Sequence, residues 1–278
     1  MSTTATELPQ AAPARVQEGK VTQLRVINSE WIKLRTLRST PITLLVAVLL
    51  MVALGPLLTW ANAAHSGGGP GDHGAPIVNG AELSLFPYHF AQLAIGVLGV
   101  LMVTGEYSTG MIRASLSAVP KRLPVLWAKA VVYAVVVLVL MTIASLVAFY
   151  SGQAILSHYS RSVTLSEPGV ARVVLGTGLY LAVVGLLGVA LGALIRNGAG
   201  AISTLVGLLL VIPILSNLLP SSWAPHIVPY LPSNAGGALL NVVPDPTLMS
   251  PWGGFALFVG YAVVLLAVAG VLLKRRDA

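Results

Sequence analysis

Long uncharged apolar stretches alternate along this chain with short polar ones, and the apolar stretches are continuous runs of Leu, Val, Ala and Gly. A run of about 20 such residues, coiled as a helix, matches the roughly 30 Å hydrocarbon thickness of a bilayer. Backbone groups in lipid find no water, so a spanning segment must be a helix or a strand of a closed barrel. Barrel strands alternate with a period of two, and these runs do not. The pattern therefore predicts six membrane helices, at 41–60, 85–104, 130–150, 173–195, 199–219 and 252–273. Gly55-Pro56 predicts a kink near the far end of the first, and Pro213 falls inside the fifth. Between the fourth and fifth only Arg196-Asn197-Gly198 interrupts the apolar run. Two spans joined by a tight turn fit its length, because a single helix would far exceed the bilayer.

Ahead of the first span, residues 21–40 predict an amphipathic helix lying in the membrane interface. Leu24, Ile27, Trp31 and Leu34 recur at helical spacing, with Arg25, Glu30 and Lys33 off that stripe and Arg35 close to the span. Residues 1–20 are rich in Ala, Pro, Thr and Gln and predict a disordered tail rather than a signal peptide. The spanning domain then occupies 41–278. Of its connections, 61–82 contains Ser-Gly-Gly-Gly-Pro-Gly and predicts a flexible linker. The last one, 220–251, is rich in Pro and holds Trp223 and Tyr230; within it, 233–242 predicts a short helix capped by Ser233 that rests on or dips into the outer leaflet.

Composition agrees with immersion in lipid. Of the 278 residues 56% are hydrophobic and 9% charged, with mean hydropathy +0.85, whereas a soluble domain carries about 25% charged residues. Cysteine is absent, which removes disulfides and thiolate chemistry. The net charge of +7 has a topological rather than a nucleic-acid explanation. With six spans, all but two of the 16 basic residues, Arg161 and Arg172, fall on the side of both termini. The positive-inside rule predicts that this side, with both termini, is cytoplasmic, in the cell membrane. The five histidines fall on or near the other side, and His65, Asp72 and His73 are too loosely tethered in the Gly-rich loop to favour a metal site. Glycines at 176, 178, 185, 188 and 192 give the fourth span small faces for close helix packing. No ionisable residue falls deep in the predicted spans, which disfavours an ion-coupled carrier or an intramembrane protease.

The informative connection is 105–129, between the second and third spans. Met111, Ile112, Leu116 and Val119 are spaced for one helical face, Pro120 ends it, and Lys129 is predicted to snorkel at the start of the next span. The pattern Glu106-Tyr107-x-x-Gly110-x-Ile112-Arg113-x-x-Leu116-x-x-x-Pro120-x-Arg122, closed by Lys129, resembles the cytoplasmic loop of ABC-2-type transporter permeases. The stretch Ser29-Glu30-Trp31-Ile32-Lys33-Leu34-Arg35 is similar to the start of many actinobacterial members, and Tyr230-Leu231-Pro232-Ser233-Asn234-Ala235-Gly236 to their last external loop. The likeness extends from about Val21 to Arg276, and Met111 stands where the wider family often has Thr.

The resemblance implies an all-α membrane protein of the type V exporter kind, acting as the permease subunit of an ATP-driven exporter. It implies a coupling helix at roughly 107–119, with Glu106 at its start, docking in a groove of a separate ATPase, and a connecting helix over 24–38 that also touches it. Glu106, Tyr107, Gly110, Ile112, Arg113, Leu116, Pro120 and Arg122, with Glu30, Trp31, Lys33 and Arg35 of the interfacial helix, are the coupling residues this implies. Two permeases, homo- or heterodimeric, would pair with two ATPases. The chain has no G-x-x-x-x-G-K-[ST] sequence, its single Gly-Lys pair being Gly19-Lys20, so ATP and Mg would be bound by the partner and no cofactor by this chain. Glu106 otherwise reads as a solvated helix-end carboxylate pairing with Arg113 or Lys129, and Arg113 as a lipid-phosphate contact. An ATP-independent carrier or channel, and a membrane anchor or immunity protein, are the competing readings. An apolar path suits drugs, antibiotics, peptides and lipids alike.

Overall fold

The computed structural model describes residues 22–37, 39–65, 79–111 and 123–275. Among them the chain is helical: α1 (Gln23–Thr36), α2 (Ser39–His65), α3 (Gly80–Leu85), α4 (Tyr88–Ser108), α5 (Leu123–Ser157), α6 (Val170–Ile195), α7 (Gly198–Ser216), the short α8 (Ala224–Ile227) and α9 (Pro232–Gly237), and α10 (Pro251–Arg275). Six are long and apolar enough to cross a bilayer: α2, α3 with α4 taken together, α5, α6, α7 and α10. The chain is a multi-pass membrane protein.

The helices outrun the predicted spans. Helical hydrogen bonding needs no lipid, so α5 starts at Leu123 instead of 130 and runs 35 residues, while α4 continues to Ser108. The longer limits place Glu106 and Lys129 inside spanning helices, where the sequence pattern had put neither. Helix α2 is unbroken through Pro56.

The core is organised around α6. Val174, Leu181, Val184, Leu187, Val189 and Ala190 are completely enclosed, with 0% exposure. Between helices in lipid there is no hydrophobic drive, so association depends on backbones approaching closely over small residues. A Cβ on Gly99 of α4 would lie 2.5 Å from the Gly185 carbonyl oxygen, and one on Gly192 of α6 would lie 2.8 Å from the Val100 carbonyl oxygen. Helices α4 and α6 thus touch backbone to backbone. Cross-helix hydrogen bonds add to this: the Tyr133 hydroxyl donates to the Ile95 carbonyl at 2.5 Å and the Ser145 hydroxyl to the Val174 carbonyl at 2.8 Å.

Two elements depart from simple spans. In α7 a π turn occupies Gly207–Val211 just before Pro213. The segment from α9 through a 3-10 turn (Ala238–Leu240) is packed inside the protein rather than resting on the leaflet. Ala235 and Leu239 are fully enclosed, and Gly236 sits between Tyr180 and Phe258, whose rings stack at 5.2 Å. Ser233 lies inside α9 and makes no capping bond. The predicted short helix exists, but small residues let it enter the bundle between α6 and α10.

Candidate functional site

At the end of the bundle where α1, the C-terminus of α4 and the start of α5 meet, four charged side chains form a closed ring. Lys33 Nζ lies 2.6 Å from Glu30 Oε1 and 3.0 Å from Glu106 Oε1. Lys129 Nζ lies 2.6 Å from Glu30 Oε2 and 2.9 Å from Glu106 Oε1. Each lysine thus bonds both carboxylates, and the ring is electrically neutral. Glu30, Glu106 and Lys129 are buried, and the Lys33 side chain is 29% exposed. Burial by itself lowers the pKa of the Lys33 ammonium, but its bonds to Glu30 and Glu106 outweigh that and hold it above its ordinary 10.5.

The ring forms because α1 docks on α5 through an apolar contact beside it. Val26 and Ile27 pack against Val125 and Ala128, and the Gln23 carboxamide donates to the Pro124 carbonyl at 3.3 Å. The buried face of α1 is therefore Val26, Glu30 and Leu34, one residue every turn. The expected stripe divides: Leu34 is buried against the bundle, Leu24 and Trp31 are 78% and 40% exposed to its surroundings, and Glu30, expected off the stripe, is on the inside. Lys129 likewise does not snorkel to water; at 4% exposure it is held between two carboxylates.

A second contact bridges the same end. Arg196, the left-handed residue closing α6, places its guanidinium 5.0 Å from the centre of the Tyr107 ring. The tight turn that separates α6 from α7 is thereby tied to the last turn of α4. Just beyond, Gly110 adopts φ +72 with open space around it, a left-handed turn that favours glycine.

Helix α1 is thus locked by charge onto the second and third spans of a six-span bundle, and the comparison with known families says what kind of bundle it is. The family model described as ABC-2 family transporter protein matches residues 26–217. This chain belongs to the ABC-2 transporter family. No curated relative matches it. As an ABC-2 permease it is a membrane-spanning transport subunit, and the match takes in all four residues of the ring.

Of the coupling residues expected from the permease pattern, the structure gathers Glu106, Glu30 and Lys33 at one point. Tyr107 is still within α4, and Gly110 forms the turn after it. Trp31 and Arg35 sit on the outer face of α1, the guanidinium 5.9 Å from the indole centre. Ile112, Arg113, Leu116, Pro120 and Arg122 lie outside the described residues, as do the 1–20 tail, Asp72 and His73. Sequence reasoning named Lys129 as a pairing partner of Glu106, which the structure shows, but took the pair as solvated and did not bring in Glu30 and Lys33. Arg196, alone in a tight turn, was not read as part of the site, and no signal pointed to it.

Proposed function

We propose that this permease is the membrane half of an ATP-driven exporter in the cytoplasmic membrane, with the basic end and both termini in the cytoplasm. A separate ATPase, in two copies against two permeases, binds and hydrolyses ATP with Mg, and an amphipathic or hydrophobic cargo moves outward. The observation that carries this is the neutral ring of Glu30, Lys33, Glu106 and Lys129. Breaking a buried pair by removing one member leaves an uncompensated charge and costs about 3–5 kcal/mol, so the helices it joins move as one body. A push delivered to the 105–129 loop or to α1 is thereby passed to α4 and α5 together. In this reading Arg113, Ile112 and Leu116 face the ATPase, whereas Glu106 works from inside the permease as a junction.

The test is purification of the full chain from its native membrane, followed by reconstitution of whatever accompanies it. A nucleotide-hydrolysing partner should co-purify, and cargo export from vesicles should require ATP. Glu106→Gln should uncouple hydrolysis from export, and Arg113→Ala should weaken partner retention while leaving the permease folded on size exclusion. Should no such partner travel with the chain, or should export run without ATP, an independent carrier or a non-transporting anchor is the better description.

A further inference from the structure

At the end of the bundle opposite the ring lies a cavity of about 450 Å³, large enough for a drug-sized ligand. Its walls come from α4 (Tyr88, Gln92), α6 (Tyr180), α7 after its π turn (Ser216, Asn217) and the inserted segment (Ser233, Asn241). The lining includes His89 but no Asp, Glu, Lys or Arg. Its polar capacity is carboxamide and hydroxyl, and much of it is unspent. Gln92 is 3% exposed and its Oε1 accepts from the Tyr180 hydroxyl at 2.6 Å, yet its amide nitrogen donates to nothing among the described residues. The side chains of Asn217 and Asn241 make no hydrogen bond there either, and the Ser233 hydroxyl is buried without a partner. Of these groups the Ser233 hydroxyl is sealed without a partner among the described residues, and for the others a hydrogen-bonding ligand would take the place of water.

The nearest fixed charges are already engaged. Glu82, which lines a smaller pocket sharing Tyr88, His89 and Asn241 with the cavity, accepts from the Val242 N–H. Arg172 donates to the carbonyls of Asn241 and Val242 at 2.6 and 3.0 Å. Both charges secure the inserted segment and neither lines the main cavity. A charged group entering it would shed hydration without meeting a counter-ion, which is strongly unfavourable. A hydroxyl or amide group would find both donors and acceptors. On the α7 side the rim is apolar, with Leu210 and Ile214 38% and 60% exposed toward the surroundings of the bundle.

We propose that this cavity receives the uncharged, hydroxyl- or amide-bearing head of an amphiphile whose apolar tail leaves past Leu210 and Ile214. This rests on the transport reading and names its cargo class, but binding needs neither ATPase nor nucleotide. The two therefore fail separately.

The probe is an alkyl glucoside with a photoreactive diazirine in its tail, applied to the full chain in lipid vesicles, with labelled residues mapped by mass spectrometry. Labelling should concentrate on residues 207–217 and 228–241 and be displaced by octyl glucoside. Octyl sulfate, octyltrimethylammonium and methyl glucoside should not displace it. Asn217→Leu, at an exposed position where folding is safe, and Gln92→Leu should each weaken displacement by about tenfold, the worth of one or two hydrogen bonds. Label spread evenly over outward-facing residues such as Val135, Val139 and Ile143 would overturn the proposal. So would equal displacement by the charged amphiphiles, or by methyl glucoside, the last pointing to a water-borne solute instead.

Discussion

The two ends of this permease solve the problem of polarity inside an apolar bundle in opposite ways. At one end four full charges meet, three of them buried, and every one of them is paired within 3.0 Å. At the other there is no formal charge in the cavity wall, yet Gln92, Asn217 and Asn241 keep hydrogen-bonding capacity in reserve. A network whose charges are all paired resists rearrangement, since each member depends on the others, although Glu106 Oε2 is left without a partner among the described residues. An unsaturated one is ready to accept something new. The first suits a mechanical joint, the second a binding place.

The sharpest way to break this contrast is to remove one charge from the ring. Lys129→Met leaves two buried carboxylates sharing Lys33, and should cost about 3–5 kcal/mol. It should lower the thermal unfolding midpoint and free α1 to limited proteolysis. A variant that melts and resists protease like the parent would mean that the ring is passive. The exchange Glu106→Lys with Lys129→Glu should recover part of the loss, because ring neutrality is kept.

Next in size is the α4–α6 seam that holds the two ends at a fixed distance. A side chain on Gly188 would collide with the Gly96 carbonyl, so Gly188→Leu should force the helices apart and cost about 1–3 kcal/mol, read as loss of monodisperse protein in detergent. At the cavity end Tyr180→Phe strips Gln92 of its partner and should cost about 1–3 kcal/mol, whereas Tyr180→Phe with Gln92→Leu should be nearly neutral. If the double variant is the worse of the two, the polar pair is holding the bundle together rather than being held by it. The ring should show a like relief, because removing Lys129 and Glu106 together leaves Lys33 and Glu30 paired at 2.6 Å.

Alkaline titration refines the comparison. Lys33 has a folded pKa above 10.5, so its stabilising contribution is complete below that value and is lost as pH rises through the folded one. Docking of α1, followed by Trp31 fluorescence, should stay constant through neutral pH and fail only above about 10.5. The smallest effect expected is that of Arg35→Ala, which removes an exposed stacking contact with Trp31 worth about 0.5–1 kcal/mol and should leave the ring intact.

What was legible in the sequence follows the same division. Apolar runs and the positions of Lys and Arg declare spans and their number, because the bilayer imposes a length on each segment separately. Helix α1 was visible for a related reason, but its inward face was not. Hydropathy assigns Glu30 to water, and it takes Lys129, 99 residues further on, together with Lys33 to make its burial tolerable. The α9 segment was expected to rest on or dip into the leaflet, and its slot between α6 and α10 was not legible, since nothing local tells a lipid surface from a gap between helices. Only the neighbouring rings of Tyr180 and Phe258 reveal why Gly236 is there.

The π turn at Gly207–Val211 has one more consequence. A π turn takes in one residue more than an α turn does, so the helix on either side keeps its facing while an extra side chain is accommodated between. Leu209 and Leu210 within the turn, and Ser216 and Asn217 beyond it, all line the cavity. Deleting Leu210 would restore a regular α turn, leave Ser216 and Asn217 facing as they do, and take one apolar side chain from the rim. A shortening by one leucine would thus widen the way out for a tail without touching the groups that would hold a head.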